Sequence, residues 1–287
     1  MLTLLNAGQS QNGSEEGLFT PLTKAELSQA IYLWDFDRAL ALQTYGEINT
    51  WVTTNITDMS FLFNANGDFN SNISNWDVSN VTNMGAMFAQ SSFNQPIGNW
   101  NTSNVTDMST MFFANPSFNQ PIGNWNVGSV TTISMMFGGG SPSQYSPFDQ
   151  PLNNWDVSNV TDMQTVFGFS VFNQPLNNWN VSRATTMRSM FIGNATYNQD
   201  LSSWRVFNTL SYQNFDLNAT SWVLPKPAFG VEWQPLTKGQ LQTAVNVWVE
   251  DEAEARVLYG DINTWNVSSI TDMEAIFLQK SSFNSDI

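Results

Sequence analysis

The sequence predicts an α/β repeat solenoid, with one short parallel strand and one short helical turn in each rung and a helical cap before the first rung. Three observations predict this fold. An aromatic- and Asn-rich unit of about 25 residues recurs between Trp51 and Trp204. A segment with helical spacing of apolar residues precedes it, and the same segment returns 214 residues later, before a new start of the repeat at Trp265. Self-similarity at a fixed period is the signature of a repeat architecture.

The segment 21–47 is predicted to form the helical cap. Its apolar residues recur at helical spacing from Leu27 onward. Thr23, followed three residues later by Glu26, indicates a capping box at the helix start, and Gly46 is a suitable C-terminal stop. A helical segment here would cover the open end of the apolar core, as repeat arrays require.

The predicted solenoid covers residues 48–204, and tryptophan marks its rungs. The Trp column consists of Trp51, Trp76, Trp100, Trp125, Trp155, Trp179 and Trp204, at intervals of 25, 24, 25, 30, 24 and 25 residues. The longest interval contains a Gly/Ser/Pro-rich loop at 138–146. One turn cannot bury its apolar side alone, so equivalent residues are expected to stack as a core ladder. An exposed Trp column that stacks on sugars is the alternative, but an Ile or Leu three residues before the Trp favours burial.

Polar residues recur in the same register. Asn residues precede the Trp and follow the second Phe of each unit, where they are expected to satisfy backbone groups at the corners of the coil. A Thr column suits the short parallel strand, and the residues after it suit a single tight helical turn. This Thr column is formed by Thr57, Thr82, Thr106, Thr131, Thr161 and Thr185.

The remaining boundaries follow from loss and return of the pattern. Residues 1–20 form an N-terminal extension, 205–234 a degenerate cap and linker, 235–261 a second helical cap, and 262–287 the start of a second solenoid with an incomplete rung. From Pro21 to Phe63, 21 of 43 positions are identical to those from Pro235 to Phe277. The unfinished rung has two interpretations: the chain is a fragment of a longer array, or an assembly edge at Phe283 and Ile287 is completed head to tail by a second copy.

Charge and composition limit the function. The chain has 24 acidic and nine basic residues, and no Lys or Arg lies between Arg38 and Arg183. Clustered basic residues are needed to neutralise phosphates, so we expect neither nucleic-acid binding nor attraction to anionic membranes. No stretch is apolar enough for membrane insertion, and no signal peptide is visible.

Cysteine and histidine are both absent. Disulfides, Cys/His zinc sites, thiolate nucleophiles and imidazole catalysis are thereby excluded. We expect no enzymatic activity, no cofactor and no metal site. Three alternatives remain weaker. The first is acid–base chemistry on a carbohydrate by Asp58, Asp107 or Asp162, the second is calcium binding by the same column with Asp77 and Asp156, and the third is ice binding by the Thr column.

The unit FNQPIGNWNTSNVTDMSTMF, residues 93–112, resembles a surface-protein repeat first catalogued in mycoplasma proteins of unknown function and related to the BspA-like surface proteins. The segments 27–51 and 241–265 are similar to the helical lead-in of this family in unicellular algae and protists. The resemblance implies a leucine-rich-repeat-like solenoid on a secreted, cell-surface or virion-surface protein, with an adhesive or structural role. It supplies no catalytic residues.

These observations together predict a non-enzymatic extracellular or surface scaffold that contacts protein or glycan surfaces. The alternative is a structural subunit that assembles head to tail into a filament, sheath or virion-surface layer. If the chain passes through a glycosylating secretory pathway, several Asn-X-Ser/Thr sites would carry glycans. The candidate acceptors are Asn55, Asn80, Asn104, Asn159, Asn180 and Asn218.

Overall fold

The computed structural model describes residues 17–230, 232–281 and 283–285. The helices of these ranges are α1 (Lys24–Phe36), α2 (Arg38–Tyr45), α3 (Lys238–Glu250) and α4 (Glu252–Tyr259). A short 3-10 helix follows each pair, at Ile48–Thr50 and Ile262–Thr264. No helix in the described ranges combines the length and hydropathy needed to cross a membrane. All four α-helices lie in the two cap segments.

The first cap folds as its capping residues indicate. The Thr23 hydroxyl accepts a hydrogen bond from the Glu26 N–H at 3.2 Å, and the Glu26 carboxylate accepts one from the backbone before the helix. Asp37 ends α1 and caps α2, where its carboxylate accepts the Leu40 N–H at 3.0 Å. Gly46 ends α2 at φ 71°, a left-handed conformation that favours glycine. The buried face of α1, part of the first core, consists of Leu27, Ala30, Ile31 and Trp34.

The core of the repeats is a continuous stack of aromatic rings. Trp100 and Trp125 lie 6.4 Å apart between ring centroids and only 5° from parallel. Phe112 stacks on Phe118 of its own rung at 3.7 Å and on Phe137 of the next rung at 5.9 Å. Burial of one such side chain contributes about 1.5–3 kcal/mol, and each ring pair about 0.5–1.5 kcal/mol more. The stack therefore provides the main stabilisation of the array.

The predicted α/β, leucine-rich-repeat-like architecture is wrong. Residues 17–230, 232–281 and 283–285 contain no β-strand, and neighbouring rungs share only isolated parallel bridges, such as Asp58 with Asn83. The predicted helical turn of each rung is not helical either. In the first rung, for example, residues 60–65 form consecutive turns and no helix. The repeats are rungs of turns stacked on one another.

Side-chain hydrogen bonds explain why no strand extends beyond a bridge. At the first bridge the Thr82 N–H donates to the Thr57 carbonyl at 2.8 Å, and the Met59 N–H donates to the Asn83 carbonyl at 2.9 Å. A strand would next need the Gly85 N–H to bond back to the first rung. That N–H instead donates to Oδ1 of Asn83 at 2.8 Å. Local Asx turns of this kind compete directly with a sheet ladder.

Residues with a left-handed backbone conformation also interrupt regular secondary structure. Phe61 and Ala65 have φ values of 60° and 56°, and equivalent non-glycine residues in the next rungs share this sign. Strands and right-handed helices both need negative φ, so neither can continue through these positions. The N–H groups of Phe61, Phe63 and Ala65 each donate to a carbonyl of the following rung at 2.9 Å. Rung-to-rung bonding thus persists without a strand.

Asn side chains line one corner of the stack, as expected. Oδ1 of Asn70 accepts the Asn94 N–H at 2.9 Å, and Oδ1 of Asn94 accepts the Asn119 N–H at 3.0 Å. The same ladder continues through Asp149, Asn173 and Asn198. The indole N–H of Trp125 donates to the Ile97 carbonyl at 3.0 Å, so buried polar groups bond across rungs too.

Two separate cores divide the chain. The first stack ends where Trp222 lies edge-on to Phe191 at 5.1 Å, instead of parallel to it. The second cap and its rung have a smaller core of their own, formed by Leu241, Ala244, Val245, Trp248, Ala255, Ile262, Trp265 and Ile276. The two parts touch through α4, where Glu254 lies 3.7 Å from Arg183.

Candidate functional site: the outer columns of the stack

In the five rungs from Trp76 to Trp179 the residue after the Trp is exposed, and these residues form the post-Trp column. Its members are Asp77, Asn101, Asn126, Asp156 and Asn180. In each, Oδ1 accepts the backbone N–H two residues later, as between Asp77 and Ser79 at 2.9 Å. Asp and Asn both supply this acceptor, so the turn is kept whether the position is charged or neutral. The column can therefore vary its charge without changing its backbone.

A second column runs through the bridge positions. The bridge column consists of Asp58, Asn83, Asp107, Thr132, Asp162, Thr186 and Ser211. Asn83 lies between Asp58 and Asp107, and Thr132 lies between Asp107 and Asp162. The three candidate acid–base residues are thus two rungs apart, and the structure does not bring them together. The described residues also contain no group of three or more acidic side chains that could hold a metal ion.

Asp58 is engaged in holding the cap. Nζ of Lys24 lies 3.0 Å from Oδ2 of Asp58 and donates to the Ser60 hydroxyl at 2.7 Å. Partial burial acts to raise the pKa of Asp58, but hydrogen bonds from Ser60 and the contact with Lys24 outweigh it and hold this pKa below its ordinary value. Lys238 and Asp272 form the equivalent pair in the second unit at 2.9 Å. This repetition points to a structural role.

The Thr column lies on the surface, and its hydroxyl groups bond within the stack. Oγ1 of Thr82 donates to the Thr57 carbonyl at 3.2 Å, and Oγ1 of Thr106 donates to the Thr82 carbonyl at 3.1 Å. The same bond recurs at Thr131, Thr161 and Thr185. In these five residues the hydroxyl proton is directed along the stack, so the oxygen lone pairs are left to accept hydrogen bonds from a partner.

The candidate glycosylation acceptors fall into two groups. Nδ2 of Asn80, Asn104 and Asn159 donates to a carbonyl of the preceding rung at 2.9, 2.7 and 2.7 Å. Asn55 makes a longer bond of the same kind, 3.4 Å to the Pro21 carbonyl. Asn180 and Asn218 are exposed, and their Nδ2 atoms make no hydrogen bond within the described residues. Glycosylation stays a prediction. The Nδ2 atoms of Asn180 and Asn218 are more accessible to it than those of the other four acceptors.

The Trp column lies in the core. All seven indoles, from Trp51 to Trp204, are at most 5% exposed, so they form no platform for sugars. Of the two residues of the predicted assembly edge, Phe283 packs against the second core with its ring 4.6 Å from Phe277. Ile287 lies outside the described residues.

Two shallow depressions mark the surface. One, of about 370 Å³, is lined by Pro175, Asn177, Gln199, Asp200, Ser202 and Ser203. The other, of similar volume, lies beside Trp51 and is lined on one side by Asp77. Each contains one carboxylate, whereas glycoside hydrolysis ordinarily requires two across the bond that is cleaved.

The rungs up to residue 182 carry charge of one sign. Between residues 39 and 182 the acidic residues are Glu47, Asp58, Asp68, Asp77, Asp107, Asp149, Asp156 and Asp162, with no basic residue. Carboxylates repeated along a regular surface attract cationic groups and repel phosphates.

Comparison with known families adds to this geometry. The family model described as "Mycoplasma protein of unknown function, DUF285" matches residues 34–146, 143–222 and 251–287. The chain belongs to the DUF285 family. The resemblance to mycoplasma-type repeats is thereby confirmed, whereas the narrower likeness to BspA-like proteins is no part of the match. No curated protein and no solved structure matches the chain.

One surface feature was missed in the sequence. The outer face of α1 carries the exposed aromatic residues Tyr32 and Phe36. The signal was present in the alignment of the two caps, where Asn246 and Glu250 occupy the equivalent positions. Tyr32 and Phe36 are therefore specific to the first cap.

Proposed function

We propose that this DUF285 protein is a non-enzymatic scaffold of a cell or virion surface, which binds protein or glycan partners through the outer columns of its stack. The observation that carries the proposal is that apolar and polar residues occupy separate columns. The aromatic columns lie inside, and carboxylates, amides and hydroxyls recur outside at every rung. A rigid periodic surface allows many weak contacts to act together.

The chemistry of these columns defines the partners. Carboxylates of the post-Trp column suit Lys and Arg side chains of a protein, and the intervening Asn amides suit the hydroxyl groups of a neutral glycan. Nucleic acids, sulfated glycans and anionic lipids would be repelled by the acidic surface of residues 39–182. The surface location rests on the resemblance to surface-protein repeats and is part of the proposal.

The test uses the whole chain and two matched variants. Asp77→Asn/Asp156→Asn removes two charges from the post-Trp column, and Asp107→Asn/Asp162→Asn removes two from the bridge column. Both retain the Oδ1 acceptor, as Asn101 and Asn83 show at equivalent positions. Binding is measured on an array of neutral, sialylated and sulfated glycans and on surfaces coated with basic extracellular-matrix proteins.

We expect binding to neutral glycans or basic proteins and none to sulfated glycans. Exposed charge contacts are worth about 0.2–1 kcal/mol each, so the loss of two from the exposed column should weaken a basic partner about fivefold. The bridge-column variant should weaken it less. A monomeric chain that binds none of these partners would refute the proposal. Polysaccharide hydrolysis that disappears in the bridge-column variant would show that the chain is an enzyme.

Head-to-tail assembly into a filament, sheath or virion layer is the alternative. Phe283 packs toward the second core, which does not favour its use as an assembly edge. Sedimentation velocity over a hundredfold range of protein concentration distinguishes the two proposals. Particles that grow with concentration and shrink when Phe283 is replaced by Ser would favour assembly over the scaffold.

A further inference from the structure

The outer face of α1 exposes an aromatic pair. Tyr32 and Phe36 are 66% and 76% exposed, and their rings stack at 5.8 Å with an angle of 7° between their planes. Leu40, at the start of α2, is 45% exposed. We call Tyr32, Phe36 and Leu40 the cap-1 patch. Tyr32 and Phe36 lie on the opposite side of α1 from the core face that includes Leu27 and Trp34.

The second cap shows that the patch is not needed for folding. Helix α3 has the same length of 13 residues as α1 and buries an equivalent face through Leu241, Ala244, Val245 and Trp248. The positions equivalent to the patch hold Asn246, Glu250 and Glu254. The same helical pair therefore forms with a polar outer face, and the apolar patch requires another explanation.

The charges around the patch are mainly acidic. Asp35 and Asp37 flank Phe36, and Glu26 lies in the first turn of α1. Of the two cations on this cap, Lys24 is paired with Asp58, and the Arg38 guanidinium lies 4.0 Å over the ring of Trp34. A partner that covers the patch would thus meet an apolar strip with carboxylates beside it.

We propose that the cap-1 patch binds an amphipathic helix of a partner protein, with apolar residues at i, i+3 and i+4 and with Lys or Arg beside them. Apolar side chains of such a helix would cover Tyr32 and Phe36, and its basic residues would reach Asp35 and Asp37. An anionic membrane would be repelled by the same carboxylates. A second copy would bring like charges together across the contact. This site is independent of the outer columns proposed above.

The direct test transplants the second cap's residues into the first. The probe is a fluorescein-labelled 14-residue helix made only of Leu and Lys, titrated at 0.15 M NaCl and followed by anisotropy. We expect Tyr32→Asn/Phe36→Glu to weaken binding at least about tenfold, because apolar burial of about 1.4 kcal/mol or more is lost. Phe36→Glu adds a negative charge, so electrostatic attraction alone would strengthen binding. Only loss of apolar contact explains a decrease.

The reverse exchange is the matched control. Asn246→Tyr/Glu250→Phe should create a second site and raise the stoichiometry from one peptide to two. Both variants should keep the circular dichroism spectrum of the original chain, since the exchanged positions lie outside the cores. Tyr32→Asn/Phe36→Glu should also keep the urea midpoint, whereas Asn246→Tyr removes the acceptor of a hydrogen bond from Gln242 at a half-buried position. Equal peptide affinity in the original chain and in Tyr32→Asn/Phe36→Glu would overturn the proposal. Dimerisation of the original chain, or its flotation with phosphatidylcholine vesicles, would also overturn it if abolished by that double substitution.

Discussion

Single residues act in this protein through the column to which they belong. Trp125 stacks on its equivalents Trp100 and Trp155 in the rungs on both sides, so one substitution in the Trp column can affect three rungs. In the Asn corner column, each side-chain oxygen accepts a backbone N–H of the next rung. The backbone N–H of the same residue donates to the side chain of the previous rung, as at Asn94. The cost of a substitution is therefore set by column and burial more than by position along the chain.

Trp125 illustrates the apolar columns. Its ring lies between Trp100 and Trp155, 6.4 Å from each, and is 3% exposed. We expect Trp125→Ala to lower the free energy of unfolding by about 3–5 kcal/mol, as measured by urea denaturation. Val223→Ala is the control, since Val223 is 83% exposed and should change stability by less than about 0.5 kcal/mol. A similar effect of both substitutions would contradict the stacked core.

Tyr197 occupies a column that holds Phe in the earlier rungs. Its ring is fully buried, and its hydroxyl has no hydrogen-bond partner among the described residues. An unsatisfied buried hydroxyl is costly, so Tyr197→Phe should stabilise the chain by about 1 kcal/mol or more. The control is Tyr145→Phe, because Tyr145 is 39% exposed.

The same residue predicts a pH dependence. Burial raises the pKa of Tyr197 above its ordinary value of 10.0. The unfolded chain therefore loses this proton first as the pH rises. Ionisation then favours the unfolded chain, and the free energy of unfolding falls above about pH 10. Between pH 8 and pH 11 the free energy of unfolding should fall more for the original chain than for Tyr197→Phe. Identical slopes would exclude this role of Tyr197.

Asp149 tests the polar columns. It takes the place of Asn in the corner ladder, where its Oδ1 accepts the Asn173 N–H at 2.8 Å. Asp149→Asn keeps this acceptor, and we expect a change below about 0.5 kcal/mol in urea denaturation. Asp149→Ala leaves the N–H without its acceptor and should cost about 1–2 kcal/mol. If Asn proved as damaging as Ala, charge and not the ladder bond would be the reason for Asp149.

At the scale of elements, each rung is joined to its neighbours by backbone bonds and each helical pair is attached to a rung. The pair of Lys24 and Asp58 makes one such attachment, and Lys238 with Asp272 repeats it. Both partners of the first pair are partly exposed, with 34% and 46% of their side-chain surface accessible. Exposed ion pairs contribute about 0–1 kcal/mol, so apolar packing beneath α1 holds most of the cap.

The contribution of this pair should depend on acidity. The pKa of Asp58 lies below its ordinary value of 3.8, so its stabilisation is present above about pH 4 and is lost as the pH falls through the lowered pKa. Asp58→Asn keeps the bond from the Ser60 N–H but removes the charge. We expect it to cost at most about 1 kcal/mol at pH 7, with a smaller difference from the original chain at pH 3. A difference that grows on acidification would have the wrong sign for this explanation.

At the scale of the whole molecule, the chain consists of two folded units with separate cores. Polar contacts join the units. Nδ2 of Asn208 donates to the Val257 carbonyl at 3.2 Å, and Arg183 lies 3.7 Å from Glu254, with 47% and 44% of these two side chains exposed. Contacts of this kind couple units weakly. The negative charge of residues 39–182 belongs to the first unit and extends over its rungs.

Two cores predict two unfolding transitions. We expect Trp125→Ala to lower the midpoint of one calorimetric transition and Trp265→Ala that of the other, each leaving the second within about 2 °C, as nearly additive distant sites should. Trp265 is 9% exposed in the second core. A single transition that both substitutions shift would show that the units unfold together.

The sequence by itself determined the period, the membership of the columns, the capping residues of α1 and the sign of the surface charge. These follow from residue type and spacing, because apolar side chains at a fixed period can be buried only by stacking on their equivalents. The tertiary structure alone decided that the rungs are turns and not strands, that the acids of the bridge column stay apart, and that Tyr32 and Phe36 lie exposed. The physical reason is a competition for backbone N–H groups. At the Asp and Asn positions of the bridge column, the N–H two residues later can either extend a ladder or bond to the local side chain, and residue identity is compatible with both until the neighbouring rungs are in place.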